Sequence, residues 1–272
     1  MLGLAALFAL ALLVASEKLK VKVDPKIEQI HNALPNLDCG ACGFAGCFAY
    51  AQALSKDTNL ITESPCAVTL QNPEAVSNLE KALDIKLDSS AFHKKAFMHC
   101  GGDSDAIYNY SGAESCKAAA QLSGGYKKCP YACLVFGDCM AVCPYDAISI
   151  DKEKGIATVD IEKCTGCGLC VGECPHNLIE LAPAGTKVSF RCNYEPLRDI
   201  PGREKCQYGC IHCRKCFNAC EYDAITWNKE KAIPVFDIEK CTLCGKCIKI
   251  CPQNTLAYFN KVDAEVKSPS AV

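Results

Sequence analysis

Cysteine dominates the chemistry that this chain can perform, with 24 cysteines among 272 residues. Two stretches, residues 164–175 and 241–252, repeat the spacing C-x2-C-x2-C-x3-C followed by proline. Three thiolates on one short loop can bind three irons of a [4Fe–4S] cubane, while the fourth leaves the loop and binds a neighbouring cluster. Several such motifs in one chain indicate electron transfer rather than zinc binding.

The motifs belong to a longer internal repeat. Equivalent cysteines stand 77 positions apart, as Cys133 and Cys210 do, and the other pairs are Cys129 and Cys206, Cys139 and Cys216, Cys143 and Cys220, and Cys164 and Cys241. Self-similarity over this length indicates two copies of one structural unit. Each copy holds two cluster motifs and is therefore predicted to be a two-cluster ferredoxin module. β-rich ends around a charged turn predict a hairpin between the motifs, over 148–159 and 225–236.

Crossing the motifs assigns the ligands, because the fourth cysteine of each motif serves the partner cluster. In the second module the two predicted sets are Cys210, Cys213, Cys216 with Cys251, and Cys241, Cys244, Cys247 with Cys220. One set of the first module follows the same rule and comprises Cys164, Cys167, Cys170 and Cys143.

The remaining set of the first module departs from the pattern. Phe136 stands where the repeat requires the middle cysteine, opposite Cys213. We expect Cys129 to replace it, which gives the set Cys129, Cys133, Cys139 and Cys174. The alternative is a [3Fe–4S] centre with Cys129 free. A second departure is Glu221, which replaces the proline after Cys220 and would lower the potential of the nearby cluster through its carboxylate.

A separate group of cysteines lies upstream, with the spacing C-x2-C-x4-C-x18-C. It consists of Cys39, Cys42, Cys47 and Cys66. Glycines at 40, 43 and 46 permit the sharp bends of a ligand loop. Four thiolates also suit zinc, but the glycine-rich start and the neighbouring motifs favour a [4Fe–4S] cluster.

Four cysteines remain: Cys100, Cys116, Cys192 and Cys206. Cys116 and Cys192 precede Cys129 and Cys206 by 13 and 14 positions, so the repeat includes them approximately. They are either buried thiols, which pack as small apolar groups, or the ligands of a further cluster between the modules. Five clusters are therefore expected, and six if these thiols converge.

Other classes of function find little support. The formal net charge is −2, and no basic face, G-x-G-x-x-G loop or P-loop is present, so neither nucleic acid nor a nucleotide is an expected ligand. Thiols spaced as C-x2-C-x2-C are poor partners for a disulfide framework, which indicates a reducing compartment. His31 is expected to be a packing or surface residue.

The first fifteen residues are apolar and uncharged. As a helix they would extend about 22 Å, against about 30 Å for a hydrocarbon core. No basic segment precedes them, as it would in a signal peptide, and lysines follow at 18, 20 and 22. Because positive residues stay on the cytoplasmic side, we predict an anchor in the cytoplasmic (inner) membrane with the bulk of the chain facing the cytoplasm.

The predicted fold class is α+β, with an N-terminal membrane anchor helix, a small four-cysteine Fe–S domain and two tandem bacterial-type two-[4Fe–4S] ferredoxin modules. Helices are predicted over 23–35, 48–55 and 72–83. The predicted boundaries are 1–16 for the anchor, 24–84 for the four-cysteine domain, 85–182 and 183–260 for the modules, and 261–272 for a flexible tail.

These features together resemble the B subunit of the Rnf electron-transport complex, a membrane-bound ferredoxin:NAD oxidoreductase. The likeness rests on the apolar start, the segment 21–25, the cluster loop 34–47 and the run Cys129, Cys133, Cys139. It implies coupling of electron flow to Na⁺ or H⁺ translocation, with soluble ferredoxin and the other membrane subunits as partners. It also implies that this chain conducts electrons without chemistry on a substrate bond. The alternative is a polyferredoxin or an Fe–S subunit of another membrane oxidoreductase.

Overall fold

The computed structural model describes residues 24–87, 93–102, 104–193 and 206–259. These residues form two compact units, one comprising 24–65 with 73–87 and the other 66–72 with the described residues from 93 onward. The predicted anchor at 1–16 and tail at 261–272 lie outside the described residues. Within the described ranges, no helix is long and apolar enough to cross a membrane.

Five helices occupy the N-terminal part of the described chain. They are α1 (Pro25–Ala33), α2 (Cys47–Lys56), α3 (Leu60–Glu63), α4 (Ala67–Gln71) and α5 (Pro73–Leu83). Helices α1, α2 and α5 confirm the three predicted helices, and α4 belongs to the second unit. The short segment from Cys66 to Asn72 groups with the later residues, and the predicted domain over 24–84 stays a prediction.

The first unit is held together by one apolar face from each of its longer helices. Asp24 begins α1 by accepting a hydrogen bond from the Lys26 N–H at 2.9 Å, and Pro25 opens the first turn. Ile30, Leu54 and Leu79, one from each of α1, α2 and α5, are completely buried.

Besides α4, the first half of the second unit contains four short strands and three short helices among the described residues. The strands are β1 (Lys94–Met98), β2 (Ile148–Asp151), β3 (Ile156–Val159) and β4 (Ile179–Pro183), and the helices are α6 (Cys116–Gln121), α7 (Asp138–Ala141) and α8 (Leu169–Glu173). Strands β2 and β3 form an antiparallel hairpin with Ile148 opposite Val159. Strand β1 pairs antiparallel with β4, so a segment before the first motif closes against the segment after the second.

The second half repeats this arrangement. Its elements are β5 (Val188–Phe190), α9 (Lys215–Asn218), β6 (Ile225–Asn228), β7 (Ile233–Phe236), α10 (Lys246–Ile250) and β8 (Leu256–Tyr258). Strands β6 and β7 form the hairpin, and β5 pairs antiparallel with β8. Both predicted hairpins are confirmed.

The apolar core of each half is built around cysteines. In the first half, Ile148, Ile156, Leu178 and Ile179 pack with buried cysteines that include Cys139. In the second half, Val188, Phe190 and Leu256 pack with half-buried cysteines that include Cys216. Cores this small bury little apolar surface, so metal binding is expected to contribute directly to folding.

Candidate iron–sulfur sites

Three cavities of the second unit are each lined by four cysteines drawn from two different motifs. They enclose about the same space free of protein atoms, 330, 350 and 360 Å³ with their openings. In that order, the cysteines are Cys143, Cys164, Cys167 and Cys170, then Cys210, Cys213, Cys216 and Cys251, then Cys220, Cys241, Cys244 and Cys247. These are the sets expected from crossing the motifs, and each surrounds a volume rather than a point.

The turns that position the thiols require left-handed backbone. Helices α7, α8 and α10 each follow a glycine with positive φ, at Gly137, Gly168 and Gly245. The equivalent residue before α9 is Arg214, which adopts φ 58° despite its side chain. Its guanidinium lies 5.1 Å from the centre of the Trp227 ring, and this cation–π contact offsets part of the strain.

Backbone N–H groups point at the sulfurs. Ala96 and Gly166 both donate to Cys164 Sγ at 3.4 Å, and His212 donates to Cys210 Sγ at 3.3 Å. Such donors stabilise thiolate charge and raise the reduction potential of a bound cluster. The residues therefore suit cubane ligation, which needs thiolates that are buried yet hydrogen-bonded.

Burial penalises free thiolates at these positions. It raises the pKa of Cys170 and of Cys210 to about 12, and that of Cys247 to about 11. A positive metal centre reverses this penalty by binding the ionised sulfur. Among the described residues, no three His, Cys, Asp or Glu side chains gather around one point as ligands of a single ion. The ligands of a cubane are bound to four separate irons.

The set around Cys139 differs from the expected one. Cys133, Cys139 and Cys174 lie together, and the thiol that approaches all three is Cys116. Cys129, which we expected in this place, instead shares a thiol–thiol hydrogen bond with Cys206. The structure therefore does not bring Cys129 to the set in which Phe136 leaves a ligand missing.

The upstream cysteines are divided between the two units. Cys39, Cys42 and Cys47 lie in the first, where Asp38 Oδ1 accepts a hydrogen bond from the Cys47 N–H at 2.6 Å. Gly46 allows this approach, since a Cβ there would lie 2.7 Å from the same oxygen. Cys66 lies in the second unit, is buried, and accepts a hydrogen bond from Thr69 Oγ1 at 3.2 Å. Their joint ligation of one cluster stays a prediction.

The carboxylate of Glu221 is paired. It lies 2.5 Å from Lys246 Nζ, and its hydrogen bond raises the pKa of that lysine. The pairing offsets much of the negative charge that would otherwise act on the nearby cluster, so the expected lowering of its potential should be small.

Cysteine quartets built on crossed motifs define the class of protein, a carrier of two-cluster ferredoxin modules. A family model described as "4Fe-4S dicluster domain" matches residues 127–178 and 209–255. A second, described as "Putative Fe-S cluster", matches residues 34–62.

Curated relatives cover most of the chain. The B subunit of the Na(+)-translocating ferredoxin:NAD(+) oxidoreductase complex of Acetobacterium woodii is 35% identical over 92% of this chain and 74% of its own length. The B subunit of the ion-translocating oxidoreductase complex of Methanosarcina acetivorans is 32% identical over 93% and 94% of the two chains. The B subunit of the proton-translocating ferredoxin:NAD(+) oxidoreductase complex of Clostridium ljungdahlii is 33% identical over 96% and 92%.

The chain belongs to the family of B subunits of ion-translocating oxidoreductase complexes. It is an iron–sulfur electron-transfer subunit with [4Fe–4S] clusters, which confirms the resemblance stated from the motifs.

Proposed function

We propose that this chain relays single electrons between soluble ferredoxin and the other subunits of a membrane-bound ferredoxin:NAD oxidoreductase, and that this flow drives Na⁺ or H⁺ translocation. Two relatives carry names that specify Na⁺ and protons respectively, so the family chemistry admits either ion. Residues 1–16 would hold the chain at the cytoplasmic membrane, with the modules on the cytoplasmic side.

The observation that carries the proposal is the set of three cysteine-lined cavities within one compact unit. A cubane held by each set would supply one-electron chemistry, at a potential that the hydrogen bonds to its sulfurs and its burial set. Five sets of four cysteines would hold five clusters, namely the three cavities, the set around Cys139 and the upstream group. No bond of a substrate needs to be made or broken on this chain.

Electrons are proposed to enter through the second module. Cys213 and Cys244 are the exposed cysteines of the described chain, so the clusters that they would ligate lie nearest to solvent. Ile211 and Leu243, beside them in sequence, are exposed apolar side chains. Arg214 and Lys215 add positive charge, which would attract an acidic electron carrier and raise its association rate.

Stopped-flow mixing with reduced ferredoxin tests the proposal. The visible cluster absorption of the anaerobic protein should bleach, and the rate should fall with rising salt. The variant Lys215→Gln should react more slowly at low salt and depend less on salt. Lys56→Gln at the end of α2 is the matched control and should keep the wild-type rate. A wild-type protein that ferredoxin does not reduce would contradict the proposal.

A further inference from the structure

Cys100 and Cys192 occupy equivalent places in the two modules. Cys100 follows β1 by two residues, Cys192 follows β5 by two residues, and β1 and β5 each pair with the last strand of their own module. The Cys133 N–H bonds the Cys100 thiol, and the Cys210 N–H bonds the Cys192 thiol at 3.3 Å. Because Cys133 and Cys210 are repeat equivalents, Cys100 and Cys192 are equivalent too, although 92 rather than 77 positions separate them.

These two cysteines meet where the modules join. Cys100 and Cys192 are directly opposite each other in an isolated antiparallel bridge. Residues opposed in this way have Cα atoms about 5 Å apart. His99 Nδ1 lies 2.8 Å from the Phe190 carbonyl oxygen and adds a second contact beside the bridge.

Cys129 and Cys206, the next pair of equivalents, come to the same place. Their thiols share a hydrogen bond, and the thiol of Cys100 lies close to both. Tyr208 packs flat on the chain after Cys100, since a Cβ on Gly102 would lie 2.5 Å from its ring. The thiols of Cys100, Cys129 and Cys206 therefore gather at the junction, and the bridge sets Cys192 directly opposite Cys100.

Cys116 goes elsewhere because it lies on an insertion. Twenty-eight residues separate Cys100 from Cys129, whereas thirteen separate Cys192 from Cys206, and the longer segment of the first module contains α6. The Cys116 N–H donates to Asp138 Oδ1 at 3.0 Å, next to Cys139. Lys117 Nζ lies 2.6 Å from Glu173 Oε2, next to Cys174.

The inserted segment supplies a thiol in place of the motif cysteine that Phe136 replaces. Cys116 packs in one apolar cluster with Phe136, Tyr110 and Tyr126, and its thiol faces Cys133, Cys139 and Cys174. The second module has Cys213 in place of Phe136 and has no counterpart of α6 among its described residues.

We propose that Cys100, Cys129, Cys192 and Cys206 ligate a sixth [4Fe–4S] cluster at the junction of the two modules, and that Cys116 completes the cluster of Cys133, Cys139 and Cys174. The proposal rests on the proposed electron-transfer function and adds a site to it. Cys100, Cys116, Cys192 and Cys206 lie outside the residues matched by the family models.

The surroundings of the junction suit a negatively charged cluster. Cys100, Cys129 and Cys192 are buried, and so are two cations, Lys127 and Arg191. Burial raises the pKa of Cys133, and the positive charge of Lys127 partly opposes this effect. Arg191 directly precedes Cys192 in the chain. A cluster with four thiolates carries negative charge, and buried cations beside it offset part of the cost of burying that charge.

A junction cluster would also serve conduction. A cluster ligated by both modules would place a one-electron carrier between their cluster pairs, and its metal–thiolate bonds would fix the modules against each other.

Iron and sulfide per chain test the assignment through double substitutions. We expect Cys129→Ser and Cys192→Ser each to lose about four irons, and the double variant to lose the same four, because one cluster holds both residues. Cys116→Ser with Cys192→Ser should lose about eight, since these residues serve different clusters. A double Cys129, Cys192 variant that loses eight would overturn the proposal.

The wild-type count separates failure of the site from failure of the function. Native mass spectrometry of the anaerobic full chain should show six clusters, about twenty-four irons. Five clusters, unchanged by Cys100→Ser or Cys206→Ser, would remove the sixth cluster and leave the proposed function standing. Zinc bound at the junction would also rule out the sixth cluster and leave the proposed function standing. A chain without iron–sulfur clusters would end both, and the wild-type count decides even if the variants fail to fold.

Discussion

At the scale of single residues, one exchange reorganises the ligands of a cluster. Phe136 occupies the position of a motif cysteine and packs at a steep angle against the rings of Tyr110 and Tyr126, at ring-centre distances of 5.4 and 5.9 Å. An aromatic ring of this size cannot share its place with a thiolate ligand. The ligand must then come from another part of the chain, and the thiol beside this site is that of Cys116.

The double variant Cys116→Ser, Phe136→Cys tests this compensation. Cys116→Ser alone should lose about four irons or form a [3Fe–4S] centre, visible by EPR. Adding Phe136→Cys should restore the lost irons, because it returns a thiol to the standard spacing of the motif. The loss of aromatic packing should cost about 2–4 kcal/mol of unfolding free energy. Iron content that is not restored would contradict the compensation.

The charge of Arg214 should tune the cluster beside it. Arg214 lines the cavity of Cys210, Cys213 and Cys216, and its positive charge favours the reduced state. Arg214→Gln should lower the midpoint potential of that cluster by roughly tens of millivolts, as a charge at this range is worth about 1–2 kcal/mol. Potentiometric EPR titration measures the shift. Lys229→Gln, in the β6–β7 turn, is the charge-matched control and should shift it less.

At the scale of elements, the short strands and helices hold the cysteines of different motifs close together. Asp138, at the start of α7, accepts hydrogen bonds from the Cys116 and Lys117 N–H groups and from the Ser115 hydroxyl, at 2.9 to 3.1 Å. The carboxylate of Asp138, the residue before Cys139, thereby holds the start of α6 close to that cysteine. The ligand role of Cys116 depends on these hydrogen bonds.

Asp138→Asn should weaken these hydrogen bonds and leave the fold intact. Burial tends to raise the pKa of Asp138, but the hydrogen bonds from Cys116, Lys117 and Ser115 outweigh it and hold the pKa below its usual value. A lowered pKa contributes stability that is present above about pH 4 and is lost as pH falls through the folded-state value. The variant should therefore be about 1 kcal/mol less stable, equally at pH 6 and pH 8, in anaerobic urea unfolding. A deficit that changes between these two values would contradict the argument.

At the scale of the whole molecule, the two units depend on metal to different degrees. The core of the first unit is formed by helices that bury Ile30, Leu54 and Leu79. The second unit packs short strands around cysteines such as Cys139 and Cys216. Removal of iron with a chelator should destabilise the second unit much more than the helices of the first unit, as limited proteolysis should show.

The metal-free second unit should also become more sensitive to alkali. Burial raises the pKa of Cys139 and Cys170 to about 12, from 9.0. Groups with raised pKa contribute stability below the unfolded-state value, and that stability is lost as pH rises above about 9. Circular dichroism of the metal-free protein should decline above this pH. The circular dichroism of the cluster-loaded protein should not decline above this pH, since its thiolates are already ionised and bound.

The sequence by itself determined the chemistry and much of the fold. Cysteine spacing predicted the three quartets that line the cavities, because ligand loops are local and their geometry follows from a few residues. Both hairpins and the three longer helices were also predictable from local patterns. The pairing of β1 with β4 and of β5 with β8 was not, because these strands are short and join residues far apart in the chain.

Only the tertiary structure decided which unassigned cysteines meet. Counting along the chain made Cys116 the equivalent of Cys192, since each precedes the next cysteine by nearly the same distance. Strand pairing made Cys100 the equivalent instead, and the segment containing α6 carried Cys116 to Cys139. An insertion changes spacing without changing which strands pair, so positions in the chain cannot reveal contacts that pairing between distant strands creates.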